Sequence, residues 1–95
     1  MKYFNKEYYD DIVCDIPGTA FDTSEKNDVC PSISYNGFTI YIEHKNPKMR
    51  EDENSKRFLV IPSKYKGEGY FEWGLFTNSF KEVLTFTNNV IWGQK

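Results

Sequence analysis

Residues 79–93 constrain the fold more than any other stretch. Ser79 is placed to cap a helix, because its hydroxyl can accept from an unpaired backbone N–H of the first turn. Glu82, three residues on, completes a Ser-x-x-Glu capping box and sets negative charge at the positive end of the helix. At a helical period Phe80, Val83, Leu84, Phe86, Val90 and Ile91 fall in one arc of roughly 160°, with Thr87 inside it. Lys81, Glu82, Thr85, Asn88 and Asn89 take the other side, and Gly93 supplies a stop. Each such apolar side chain stabilises the chain by about 1.5–3 kcal/mol when buried, so this face needs a sheet to pack on.

The preceding residues offer one strand of that sheet. Phe71 to Phe76 alternate, with Phe71, Trp73 and Leu75 on one face and Tyr70, Glu72 and Phe76 on the other. Trp73 reads as core. Upstream, the period is two from Ser32 to Tyr35 and again from Phe38 to Glu43, where Phe38, Ile40 and Ile42 alternate with Thr39, Tyr41 and Glu43. Asn36-Gly37 between them is the strongest short hairpin signal, since both residues tolerate positive φ. Arg57 to Pro62 is a further strand, apolar at four consecutive positions, so both of its faces should be covered.

Elsewhere the pattern is weaker. A short N-terminal helix is expected over Lys6 to Val13, with Asn5 as its cap, Phe4 stapled to Tyr9, and Tyr8, Tyr9, Ile12 and Val13 forming one stripe. Pro17-Gly18 marks a turn, and residues 19–31 read as irregular, with Phe21, Val29 and Cys30 as pins to the core. His44 to Lys56 is a charged connection with Pro47 inside it, longer than a hairpin needs, and such loops often carry function.

These elements assemble into one α+β domain over residues 1–95. A small antiparallel sheet of three to four strands carries the C-terminal amphipathic helix on one face, with a short N-terminal helix. The second face would present Tyr41, Leu59 or Phe58, Ile61 or Val60, Tyr70 and Phe76. That is too apolar for water, so the N-terminal helix should cover it, or else a homodimer or another protein does. Ninety-five residues suffice for one core without metal or disulfide.

Net charge is −2, which neither favours nor excludes a partner class, but it is unevenly spread. Residues 1–30 carry −4 and residues 45–66 carry +4. The opening Met1-Lys-Tyr-Phe-Asn-Lys-Glu is too polar for an h-region, so no signal peptide is expected, and no apolar run is long enough to span a membrane. The expected location is cytoplasmic, with Cys14 and Cys30 as reduced thiols.

Catalytic and metal chemistry find little support. His44, at the end of a strand, reads as a solvated loop residue. Cys14, Cys30 and His44 are too widely separated to suggest a nucleophile pair or a zinc site. Glu68 and Glu72 span a loop and a strand and have no defined separation as paired carboxylates. Gly67-Glu-Gly69 lacks the helix and the Lys-Ser/Thr of a phosphate loop. No enzyme activity, metal or cofactor is expected.

Two binding surfaces remain. Tyr35, Tyr41 and Tyr70, with Lys45, Lys48, Arg50, Lys56, Arg57, Lys64 and Lys66, have the composition of a single-strand nucleic-acid binder. Overall acidity, scarce arginine and the Glu51-Asp52-Glu53 triplet argue against it. The acidic N-terminal segment, with Glu7, Asp10, Asp11, Asp15 and Asp22, instead suits a basic site on a protein, with Tyr8 and Tyr9 as anchors. The expected partner surface is Tyr8, Tyr9, Asp10, Asp11, Tyr41, Arg50, Glu51, Asp52, Glu53 and Tyr70. Reversing Asp10 and Asp11 to Lys should then weaken binding and leave folding intact.

The leading expectation is a non-enzymatic protein-binding module that inhibits or modulates a larger protein by steric cover and charge complementarity. Ten Lys against two Arg and a single Ala suit an AT-rich genome. In size and composition the chain resembles, in general character only, small inhibitors of phages and mobile elements, such as anti-defence and toxin-immunity proteins; that would place it in a host cytoplasm. No motif identifies a family. The alternatives are the nucleic-acid binder and a subunit of an oligomeric enzyme.

Overall fold

The hairpin at Asn36-Gly37 organises the sheet. In the computed structural model, which describes residues 6–26, 28, 30–50, 52–63 and 74–89, both residues have positive φ, 53° at Asn36 and 85° at Gly37. This left-handed pair matches the twist of the two flanking strands, as an Asn-Gly hairpin requires. Those strands are β2 (Ser32–Tyr35) and β3 (Phe38–Ile42), paired with Tyr35 opposite Phe38 and Ser32 opposite Tyr41.

The sheet has five antiparallel strands in sequence order, not three to four. β1 (Phe21–Asp22), β4 (Phe58–Pro62) and β5 (Leu75–Thr77) complete a simple meander. β1 lies in the stretch expected to be irregular. Two residues cannot show alternation, and the strand exists because the edge of β2 offers partners to Phe21 and Asp22. Of the strand expected from Phe71, Leu75 and Phe76 are strand residues in β5, and the pairing runs on to Thr77; residues 71–73, with Trp73, lie outside the described residues.

Register sorts the side chains onto two faces. Ile33, Phe38, Ile40, Ile42, Phe58 and Val60 share one face and are buried. Helix α1 (Phe80–Asn89) packs there through Phe80, Val83 and buried Thr87, with Leu84 and Phe86 half-buried. Phe80 meets Phe58, and Phe86 meets Phe38, at ring separations of 5.3 and 5.4 Å in tilted arrangements. The expected arc is therefore the packed arc; Val90 and Ile91 lie outside the described residues.

The cap is half of a capping box. Glu82 N–H donates to Ser79 Oγ at 3.2 Å, but Ser79 N–H donates to Thr77 Oγ1 at 3.1 Å. Thr77, the last residue of β5, thus takes the backbone donor that the box assigns to Glu82. The far end of α1 is fastened to the hairpin. Asn36 Nδ2 donates to the Thr87 carbonyl at 2.6 Å, and Tyr35 OH donates to Asn88 Oδ1 at 2.6 Å.

Two sequence expectations about the N-terminus are corrected. Instead of a helix over Lys6 to Val13 there are two 3-10 turns, Lys6–Tyr8 and Val13–Asp15. The segment also does not cover the second sheet face. Tyr9 and Ile12 join the same core as Phe80 and Val83 of α1. Eight residues of mixed polarity gain more from a few anchored side chains than from a helix this short.

The second face carries Ser32, Ser34, Thr39, Tyr41, Leu59, Ile61 and Phe76, with Phe21 opposite Ser34. Phe21 is 62% and Phe76 51% exposed, whereas Ile61 and Thr39 in the middle are buried. Exposure is thus concentrated at the two edge strands. Phe21, expected to pin its segment to the core, stands in solvent, while Cys30 is buried as expected.

Candidate functional site

The connection between β3 and β4 is a built structure. Asn46 Oδ1 accepts from Lys48 N–H at 3.1 Å and opens a 3-10 turn, Pro47–Met49, with proline at a position that needs no donor. Pro47 therefore starts a short piece of regular structure inside the charged connection. A second turn follows, in which the Asp52 carbonyl accepts from Ser55 N–H and Oγ, and Asp52 Oδ1 accepts from Asn54 N–H.

Arg50 ties the two legs of this loop together. Its Nε donates to the His44 carbonyl at 2.6 Å and its Nη1 to the Ser55 carbonyl at 2.7 Å. At the base, Glu43 N–H donates to the Arg57 carbonyl and Arg57 Nε returns a bond to the Glu43 carbonyl.

His44 is not solvated. It is 5% exposed, packed edge-on against the Tyr8 ring at 4.8 Å. Its Nδ1 accepts from Asn46 N–H at 3.0 Å, so the neutral ring carries its proton on Nε2. That atom is buried without a hydrogen-bond partner and stands 3.7 Å from Glu7 Oε1. Sequence position alone suggested solvent; the docked N-terminal turn is what buries the ring.

Arg57 fastens that turn to the loop. Its guanidinium grips Asp11 at two points, 2.5 and 2.8 Å, and donates to the Tyr8 carbonyl at 2.7 Å. The bond from Arg57 holds the Asp11 carboxyl below its ordinary range, against the opposing effect of partial burial. Beside it, Lys45 Nζ meets Asp10 Oδ1 at 2.6 Å in an exposed pair.

These contacts bring together two groups that lie far apart in sequence. Tyr8, Asp10 and Asp11 are held against His44, Lys45 and Arg57, at the two ends of the loop that carries Arg50, Asp52 and Glu53. Tyr9 does not join them, because its side chain is core. Asp11 joins but is occupied by Arg57. Tyr41 lies on the second sheet face, half-buried, where burial and the nearby Asp28 carboxylate raise its hydroxyl above the ordinary value. Glu51 and Tyr70 lie outside the described residues.

Between the loop and the end of β5 lies an open cleft of about 470 Å³, lined in part by Arg50, Glu53, Lys56 and Asn78. Lys45, Pro47, Asn54, Ser55 and Arg57 complete its walls. Asn78 was not expected from sequence. It caps the start of β4 by accepting from Arg57 N–H at 2.9 Å, a role with no sequence signature. Burial, and then the positive charge of Arg57, push the Arg50 guanidinium below its ordinary value, and Glu43 opposes this.

Of the expected nucleic-acid surface, Tyr70, Lys64 and Lys66 lie outside the described residues, and the other two tyrosines face opposite ways. Tyr35 faces α1 and bonds Asn88, whereas Tyr41 faces the opposite side of the sheet. Their spacing of six residues spans the hairpin, and the turn reverses parity, so they cannot form one stacking platform. Cys14 is exposed and Cys30 buried, both free. Burial, then the Glu43 carboxylate, pushes the Cys30 thiol up to about 12. Among the described residues no three His, Cys, Asp or Glu side chains are grouped to hold a metal ion, and no helix is long and apolar enough to cross a membrane.

No protein-family model matches this sequence, and no curated protein or solved structure matches it significantly, so likeness lends it neither a family nor a function.

Proposed function

We propose that this chain is a small non-enzymatic protein-binding module that modulates a larger protein by covering part of its surface, as small inhibitors and immunity proteins do. The observation that carries the reading is the corner where the acidic 3-10 turns and the charged loop are locked side by side by Arg57, Asp11 and Tyr8. A surface with both signs of charge in a fixed arrangement gives specificity and steering in protein association. Its fixed loop loses little freedom on binding, which favours affinity.

The test is a tagged pull-down from lysate of the cells in which the protein acts, with and without nuclease. It compares the wild type with a variant reversed at three exposed corner residues, Asp10→Lys, Asp52→Lys and Glu53→Lys. One protein that survives nuclease and is lost with the variant is the expected result. Recovery that disappears with nuclease, or a captured protein indifferent to the reversals, would overturn it.

A further inference from the structure

We infer that the cleft beneath the 44–57 loop receives a carboxylate carried by an acidic segment of the partner protein, with Arg50 as its anchor; this rests on the binding-module reading above. The two arginines at the corner differ in kind. Arg57 is occupied: its guanidinium serves Asp11, the Tyr8 carbonyl and the Glu43 carbonyl. Arg50 gives two of its N–H groups to backbone carbonyls and has no ion pair among the described residues. Three guanidinium N–H groups therefore remain for a ligand, counted on the five that arginine carries.

The two carbonyl bonds fix the guanidinium plane before anything binds. A fixed planar fork matches the two oxygens of a carboxylate, and pre-organisation lowers the cost of meeting it. Two further donors lie in the same cleft. Lys56 is exposed, with no ion pair among the described residues, and Asn78 has its oxygen engaged by Arg57 N–H, which leaves its amide NH2 to donate.

Charge chooses between oxyanions. Asp10 and Asp11 already neutralise Lys45 and Arg57. Arg50 and Lys56 then face Glu53, an excess of a single positive charge among the described lining residues. One carboxylate balances it, whereas a phosphate group brings about −1.5 to −2 at neutral pH. The cleft, at about 470 Å³, is larger than a carboxylate needs and has room for a side chain with its flanking backbone.

The experiment is an NMR titration of the intact protein with a short glutamate-containing peptide blocked at both ends, its glutamine counterpart, and inorganic phosphate. The Arg50 Nε–H and Asn78 side-chain amide signals are followed. Saturable shifts of both with the glutamate peptide and none with the glutamine peptide are expected. Arg50→Gln should weaken binding by about tenfold or more, the size of a lost charge-assisted bond. Because that change also releases the loop, Lys56→Gln provides a variant that leaves the loop's bonds intact, with an expected loss of about two- to fivefold.

Absence of saturable shifts at Arg50 and Asn78 would overturn the proposal, and tighter binding of phosphate than of the glutamate peptide would overturn the choice of carboxylate. A captured protein that binds the wild type, Arg50→Gln and Lys56→Gln equally would remove the cleft from the interface and leave the module reading standing. Specific peptide binding with no protein captured would overturn the partner-borne source and point to a small carboxylate ligand.

Discussion

The Arg57 guanidinium closes on the Asp11 carboxylate at two points across 46 residues of sequence, joining the start of β4 to the N-terminal turns. Arg57 is 6% exposed, so this contact is structural as much as electrostatic. Its existence revises what an acidic N-terminus offers a partner, because one of its central carboxylates is already taken.

Asp11→Asn should lower stability by about 1–2 kcal/mol, since a buried cation is left without its counter-charge while part of the site stays in water. Asp10→Asn, at the exposed pair with Lys45, should change it by less than about 0.5 kcal/mol. Urea unfolding of both variants checks this, and equal midpoints would refute the distinction. Reversing Asp10 and Asp11 together to Lys, expected from sequence to leave folding intact, should instead destabilise the chain through Asp11.

The same pair sets an acid dependence. A carboxyl whose folded pKa lies below its unfolded value stabilises the fold above the unfolded value, about 3.9 for aspartate, and loses that contribution as pH falls through the folded value. The wild type should therefore lose stability below about pH 4 more steeply than Asp11→Asn. Thermal midpoints between neutral pH and pH 3 measure it; parallel curves would show that Asp11 contributes nothing.

Cysteine labelling should separate the two thiols. Cys14 is exposed, whereas Cys30 is buried and its thiol is pushed up to about 12. Iodoacetamide at pH 8 should add one group per native chain and two after denaturation, as intact mass would show. Rapid double labelling of the native chain would mean that Cys30 is open to solvent.

Gly74 and Gly18 should respond oppositely to alanine. A Cβ on Gly74 would stand 2.6 Å from the Val60 carbonyl oxygen and 2.9 Å from Ile61 Cγ2, so the edge of the sheet must move. That overpacking costs about 1–3 kcal/mol. At Gly18 nothing lies within 4 Å, and Gly18→Ala should be neutral or stabilise by up to about 1 kcal/mol through the unfolded chain. The denaturant midpoint of Gly74→Ala should fall clearly below the wild-type value and that of Gly18→Ala at or above it; equal midpoints for the two variants would refute this.

At the helix start, Ser79→Ala should cost about 1 kcal/mol, as loss of a cap does. Thr77→Val should also destabilise, because Ser79 N–H loses its acceptor. Glu82→Ala should cost only a few tenths, through the helix dipole, since its side chain is not the acceptor for Ser79 N–H. A Glu82→Ala effect as large as Ser79→Ala would restore the full capping box.

Local patterns determined much of this protein. Ser79, the helical spacing of Phe80 to Thr87, the Asn36-Gly37 turn and the alternation through Phe38 to Ile42 act over a few residues, so they are readable without knowing what lies across the fold. Tertiary structure alone decided the rest. β1 exists because β2 had a free edge, Tyr9 and Ile12 went to the face that α1 already covers, and His44 is buried because a turn docks on it. The corner that brings Asp10 to Lys45 depends on Arg57 reaching Asp11 and Tyr8. Such contacts join residues tens of positions apart, and a lone arginine before an apolar strand carries no mark of the carboxylate it will meet.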